Sequence, residues 1–135
     1  MRIATLLILL MLTPLLYAAD YAVVVARSSQ ITRLEIDNIK DIFLRKRNFE
    51  SGIKLVPVNL LGDDAMRRNF EQEILQMDRE TISRYWVSNH FQGISPPATQ
   101  ASLLSIKLFV ERVEGAIGYL PLEMIDSELK VLYEF

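Results

Sequence analysis

The sequence predicts a single α/β domain with a mixed, mostly parallel sheet of about four strands flanked by helices. Three observations predict it. Four short apolar, β-branched-rich runs, at 21–26, 53–60, 116–120 and 129–133, read as strands. Between them apolar residues recur at helical spacing, and strands alternating with helices imply a sheet with helices packed on its faces. The length, 135 residues, leaves no room for two full domains.

Ahead of the first strand, Arg2 precedes an almost wholly apolar stretch, residues 3–16, which closes on Tyr17, Ala18 and Ala19. A charged start, a short apolar run and a small-residue close form the signature of a secretory signal. Cleavage after Ala18 assigns 1–18 to a signal peptide and 19–135 to the domain. The rival reading is a membrane anchor, but the run is shorter than the roughly 20 residues a spanning helix needs; no later segment is long and apolar enough to span, so no membrane span is expected after cleavage. Removing Arg2 from a chain with 15 Lys plus Arg and 17 Asp plus Glu leaves a net charge of −3. That sign argues against nucleic acid, which demands a basic footprint. With no cysteine, disulfides, thiolate metal sites, thiol nucleophiles and a lipid anchor are excluded.

Residues 21–26 (YAVVVA) form a continuous run, the pattern of a buried strand, and the polar residues 27–30 make the loop after it. Thr32 and Glu35 have capping-box spacing, with Ile31 and Ile36 placed as a hydrophobic staple, so a helix is expected from Thr32. Its apolar face is Ile36, Ile39, Ile42 and Phe43. Ser51-Gly52 reads as a turn before the second strand, where Pro57, lacking an amide donor, should sit at an edge or a bulge. Gly62, Asp63 and Asp64 open a second helix whose buried face is Met66, Phe70, Ile74 and Met77. Asp78 caps a third helix, which carries Ile82, Tyr85 and Trp86 and ends near Gly93, a candidate left-handed cap. A fourth helix is expected over 99–113, stopped by Gly115.

Candidate chemistry is concentrated in a few places. His90 is the single histidine. No carboxylate cluster is spaced around it, so no catalytic triad or metal site is expected, and the chain is not expected to be an enzyme or to carry a cofactor. Asp63 and Asp64 could act as paired carboxylates, but at a helix start they read as a cap and a complement to the helix dipole. Arg67 and Arg68 place cations in a first helical turn, against the dipole, and residues that break a local rule are candidates for function. They read either as a solvated salt-bridge face, paired to the aspartates, or as an anion site. Ser28 and Ser29 follow the first strand at its carboxyl end, where ligands bind in open α/β sheets. Tyr85 and Trp86 diverge by about 100° on a helix and read as core packing.

Several of these residues together resemble the phosphate-type periplasmic substrate-binding proteins. Ile42-Phe43-Leu44-Arg45-Lys46 is similar to the family's IFLGK element, with Arg45 in place of the glycine. Arg67 and Phe70 resemble its R-x-x-F. Tyr85-Trp86 followed by Phe91 and Gly93 resembles YW…F-x-G, and residues 115–119 match GAIGY. The resemblance covers nearly all of 19–135. It implies a single lobe of the type II periplasmic binding protein fold, a periplasmic location, and binding of phosphate or a similar small oxyanion in connection with an ABC transporter. The ligand-binding residues it implies, together with the loop reading above, are Ser28, Ser29, Asp64, Ala65 and Arg67. The family's phosphate loop reads Ser-Gly-Thr-Arg where this chain has Asp64-Ala65-Met66-Arg67. That loss of hydroxyls motivates the alternative, a degenerate binding-protein fold that serves as an interaction module for a membrane transporter or sensor.

Overall fold

A computed structural model of the chain describes residues 18–135. The expected signal sequence and its cut after Ala18 fall almost wholly outside the described residues. Five strands form one sheet: β1 (Tyr21–Ala26), β4 (Val56–Leu60), β5 (Ala98–Gln100), β6 (Ala116–Pro121) and β7 (Leu129–Glu134), in the order β5-β4-β6-β1-β7. Strands β4, β5 and β6 pair in parallel, while β1 runs antiparallel to both β6 and β7. Four strands therefore point one way and β1 points the other. A separate hairpin, β2 (Phe49–Glu50) and β3 (Ile53–Lys54), turns at the predicted Ser51-Gly52.

The sheet is α/β, mixed and mostly parallel as the sequence predicts, with one more strand than the expected four. The extra strand, β5, covers the start of the expected fourth helix. Ser102 accepts from the Ser105 amide at 3.1 Å and so starts that helix, α4 (Leu103–Arg112), later than expected. The first helix also starts late. Residues 31–35 are not helical, and α1 runs Ile36–Phe43 with Glu35 at its N-cap and no side-chain cap. The capping box does not form: Thr32 precedes a non-helical segment from which Ile31 and Leu34 both enter the core, and Glu35 becomes the N-cap instead of the third helical residue. Pro57 lies in an interior strand rather than at an edge. It pairs with Ile117 of β6, whereas β5 begins to pair only at Val58, so no β5 partner stands opposite the missing donor.

The second helix, α2 (Ala65–Phe70), is capped by Asp64, whose carboxylate accepts from the Met66 amide at 2.8 Å. It continues into one π-helical turn, Glu71–Leu75. Asp78 caps α3 (Arg79–His90) through the Thr81 amide at 2.8 Å, and Gly93 takes the left-handed conformation beyond its end.

The core is organised by aromatic rings taken from three of the sequence motifs. Phe70 stacks on Tyr119 with centroids 4.1 Å apart, and Phe43 meets Phe70 edge-on at 4.7 Å. The Tyr119 hydroxyl donates to Asn59 at 2.8 Å, satisfying two polar groups inside the core. Desolvation raises the Tyr119 pKa well above its ordinary value, which keeps the phenol neutral. Phe70 thereby fixes α2 against the carboxyl end of β4 and β6. Arg67, three residues earlier and on the same helical face, is carried to that end of the sheet.

Candidate functional site

Leu61–Asp64 form the loop that leaves β4 at its carboxyl end, and three arginines gather around it. Arg67 Nη1 donates to the Leu60 carbonyl at 2.9 Å, and Arg68 Nη2 donates to the Asp63 carbonyl at 2.7 Å. Arg79, the first residue of α3, brings its Nη1 within 3.3 Å of where a β-carbon on Gly62 would sit. The aspartates do not pair with the arginines through their side chains, as one reading of the sequence had it. Asp64 is used as a cap, and Asp63 offers its main-chain oxygen.

The carboxylate that does face the arginines is Glu71, a residue that sequence reasoning missed. It is 3 % exposed, at the start of the π-helical turn. Arg79 Nε lies 3.2 Å from its Oε1 and Arg67 Nε lies 3.9 Å from its Oε2. Neither contact is aligned as a hydrogen bond, so Glu71 Oε1 and Arg67 Nε are buried without one. A buried carboxylate has to be compensated by charge, and the two guanidiniums supply it. Two sequence signals pointed here. Arg67 and Glu71 stand four apart on a helix, and Arg79 is a second cation at a helix start, the rule-breaking placement that singled out Arg67.

Beside this cluster a cavity of about 480 Å³ opens between α2 and α3. Arg67, Glu71 and Arg79 form its polar side, and Ile82, Trp86, Val87 and Phe91 form an apolar wall, with Ser83 and His90 between them. Trp86, expected to pack in the core, is only partly buried and lines this cavity, its ring edge-on to Tyr85 at 4.9 Å. Tyr85 is the structural member of the pair: its hydroxyl donates to the Leu44 carbonyl at 2.6 Å, tying α3 to the end of α1.

The five predicted site residues do not come together. Asp64, Ala65 and Arg67 lie at the carboxyl end of the parallel strands. Ser28 and Ser29 lie at the opposite end, because β1 runs against its neighbours: Tyr21 pairs with Pro121, whereas Val56 pairs with Ala116. The length of a five-residue strand, ~17 Å, separates the groups. Ser28 and Ser29 border a different cavity, of about 330 Å³, with Gln30, Arg112 and Glu114. The Ser29 hydroxyl accepts from the Ile31 amide at 3.2 Å, and its carbonyl accepts from Lys130. Among the described residues no group of His, Asp and Glu side chains is placed to hold a metal ion, and no helix is long and apolar enough to cross a membrane.

No family model matches the chain, and no curated protein matches it. Solved structures do. A Vibrio cholerae ABC-type phosphate transport receptor superimposes with a TM-score of 0.69 at 17% identity, over 84% of this chain and 45% of its own. The fold is phosphate-binding-protein-like. A Clostridium perfringens protein assigned as a phosphate ABC transporter substrate-binding protein, solved with bound phosphate, gives 0.68 at 19% identity, over 84% and 44%. PstS from Borrelia burgdorferi gives 0.62 at 11%, over 84% and 46%. This chain therefore matches less than half the length of each of these phosphate-binding-protein-like neighbours.

Proposed function

We propose that the chain is an extracytoplasmic solute-binding domain that takes a small oxyanion, phosphate among the candidates, in the service of an ABC transporter. The observation that carries this reading is the convergence of Arg67 and Arg79 at the carboxyl end of β4, the edge where open α/β sheets bind ligands. Arg67, with Nη1 held by Leu60, fixes the loop and contributes charge. Arg79 is half-exposed and presents the donors. Asp64 and Ala65 open α2 beside the loop that the arginines hold, and Ser28 and Ser29 stand at the opposite end of the sheet. The exported, periplasmic location rests on the N-terminal apolar run, and the absence of a catalytic role rests on the lack of a nucleophile–base pair in the sequence. Calorimetry with phosphate, sulfate and small carboxylates tests the reading: saturable heat that disappears in Arg79→Gln supports it, and silence across the panel opposes it.

A second reading has its own observation. Val87, in the last turn of α3, is 58% exposed and Phe91, just past its end, is 85% exposed, and the Met66 amide that could meet an anion is already taken by Asp64. Both favour a protein-interaction module that meets a transporter or sensor. Pull-down from a membrane extract separates it from solute binding.

A further inference from the structure

The cavity between α2 and α3 is chemically two-sided. Two guanidiniums face one carboxylate on its polar side, so that side carries one net positive charge. Arg79 has no hydrogen-bond acceptor among the described residues, and its ion pair with Glu71 is not aligned as a hydrogen bond. Its side chain is half-exposed, with Nη1 lying over Gly62 and Nε toward Glu71. Opposite stand Val87 and Phe91, both exposed, and the partly buried Trp86, which packs against the core and lines the cavity. Free inorganic phosphate would use the first side and leave the second in water. At about 480 Å³ the cavity also has the size of a site for a small organic molecule.

The geometry points to an amphiphilic organic anion, a carboxylate or phosphate monoester with an apolar tail, as the ligand class of this site. The anionic head pairs with the Arg79 fork, and the tail covers Trp86, Val87 and Phe91. This rests on the solute-binding reading above and narrows it from oxyanions in general to those with an apolar body. Glu71, by pairing with both arginines, limits the attraction for a compact dianion and so raises the share of binding that comes from the tail.

Trp86 is the single tryptophan, so its fluorescence reports occupancy directly. The probes are hexanoate, hexyl phosphate, inorganic phosphate and hexanol, each titrated into the purified protein at one salt concentration. The expected result is a saturable emission change with hexanoate and hexyl phosphate at concentrations at least tenfold below those needed for inorganic phosphate or hexanol. Arg79→Gln should weaken both organic anions at least tenfold. Phe91→Ala, on an exposed side chain that leaves the fold intact, should erase the advantage of hexyl phosphate over inorganic phosphate. If inorganic phosphate, followed by calorimetry, binds as tightly as hexyl phosphate, the tail preference is overturned while the oxyanion reading stands. If no anion binds, both fall. If hexanol binds as well as hexanoate, or Arg79→Gln changes nothing, the anionic head is wrong.

Discussion

Arg67 and Leu60 are joined by a 2.9 Å hydrogen bond from the guanidinium to the last carbonyl of β4. The same side chain, 15% exposed, leans its Nε toward Glu71, so one residue ties the strand end, the loop and the π-helical turn. Removing it leaves a carbonyl unmet and a buried carboxylate with one cation fewer. Arg67→Ala, which loses both the Leu60 bond and a cation beside Glu71, should destabilise the fold by about 3 kcal/mol, whereas Arg79→Ala, which leaves Arg67 beside Glu71 and keeps the Leu60 bond, should cost less. Urea unfolding of the two variants distinguishes these roles. Equal losses would contradict the division between an anchoring and a presenting arginine.

Asp64 caps α2 and places a carboxylate three residues before Arg67, on the loop that leaves β4. Serine caps about as well as aspartate, so Asp64→Ser should leave the unfolding midpoint nearly unchanged. An anion seated about 4 Å from the carboxylate would be repelled by ~1 to 4 kcal/mol as the effective dielectric falls from 80 to 20. If an anion sits that close, the variant should bind phosphate roughly fivefold or more tightly. Since Arg67 is held by Leu60 and Glu71 rather than by Asp64, no loss of positioning should offset the gain. Unchanged or weaker binding would remove the repulsion argument.

Arg45 adopts a left-handed backbone, φ 62°, just past the end of α1, where its amide donates to the Ile42 carbonyl and that of Lys46 to the Asp41 carbonyl. This is the helix-ending geometry that favours glycine, and glycine is what the resembling motif has there. Arg45→Gly should raise stability by about 1 kcal/mol. Gly115 is the opposite case. Its φ is +78°, and a β-carbon would lie 1.9 Å from the Lys54 carbonyl oxygen, so Gly115→Ala should prevent normal folding. Thermal melts of both variants check the pair of signs.

Much of this could be read from the sequence, and each miss has its own physical reason. Continuous apolar runs identified four strands, and aspartates before apolar periodicity identified the caps of α2 and α3. The motif residues Phe43, Phe70 and Tyr119 turned out to be one stacked aromatic cluster, which explains why a resemblance built on them reports the fold more surely than the ligand. Nothing in residues 21–26 states which way β1 runs relative to its neighbours, and that direction alone sends Ser28 and Ser29 to the end of the sheet opposite Arg67. Strand β5 follows two prolines with only three polar or small residues, too weak a pattern to outweigh the helical spacing after it. Glu71 lies in a buried stripe, marked in the sequence by its four-residue distance from Arg67 and by the second helix-start cation at Arg79.

Acid sensitivity follows from Asp78 and Asp126. The Thr81 amide holds the Asp78 carboxyl below its ordinary pKa of 3.8, and Lys107, 2.8 Å away, does the same for Asp126. A carboxyl depressed in the folded state adds stability that is present above its unfolded pKa and is lost as pH falls through the folded one. Stability should thus hold down to about pH 4 and decline below it. Asp78→Asn, which keeps a capping side chain without the titration, should flatten part of that decline. Urea midpoints at a series of pH values test this, and an unaltered acid slope in the variant would exclude Asp78 as a contributor.

The central claim is that the arginine-bearing end of the sheet binds an anion, and calorimetric titration of the purified protein and its Arg79→Gln variant with phosphate, sulfate and small carboxylates tests it most directly. The account predicts saturable heat for at least one anion with the natural protein and at least a tenfold loss of affinity in the variant. No heat from any anion, or equal binding by the two proteins, would contradict it.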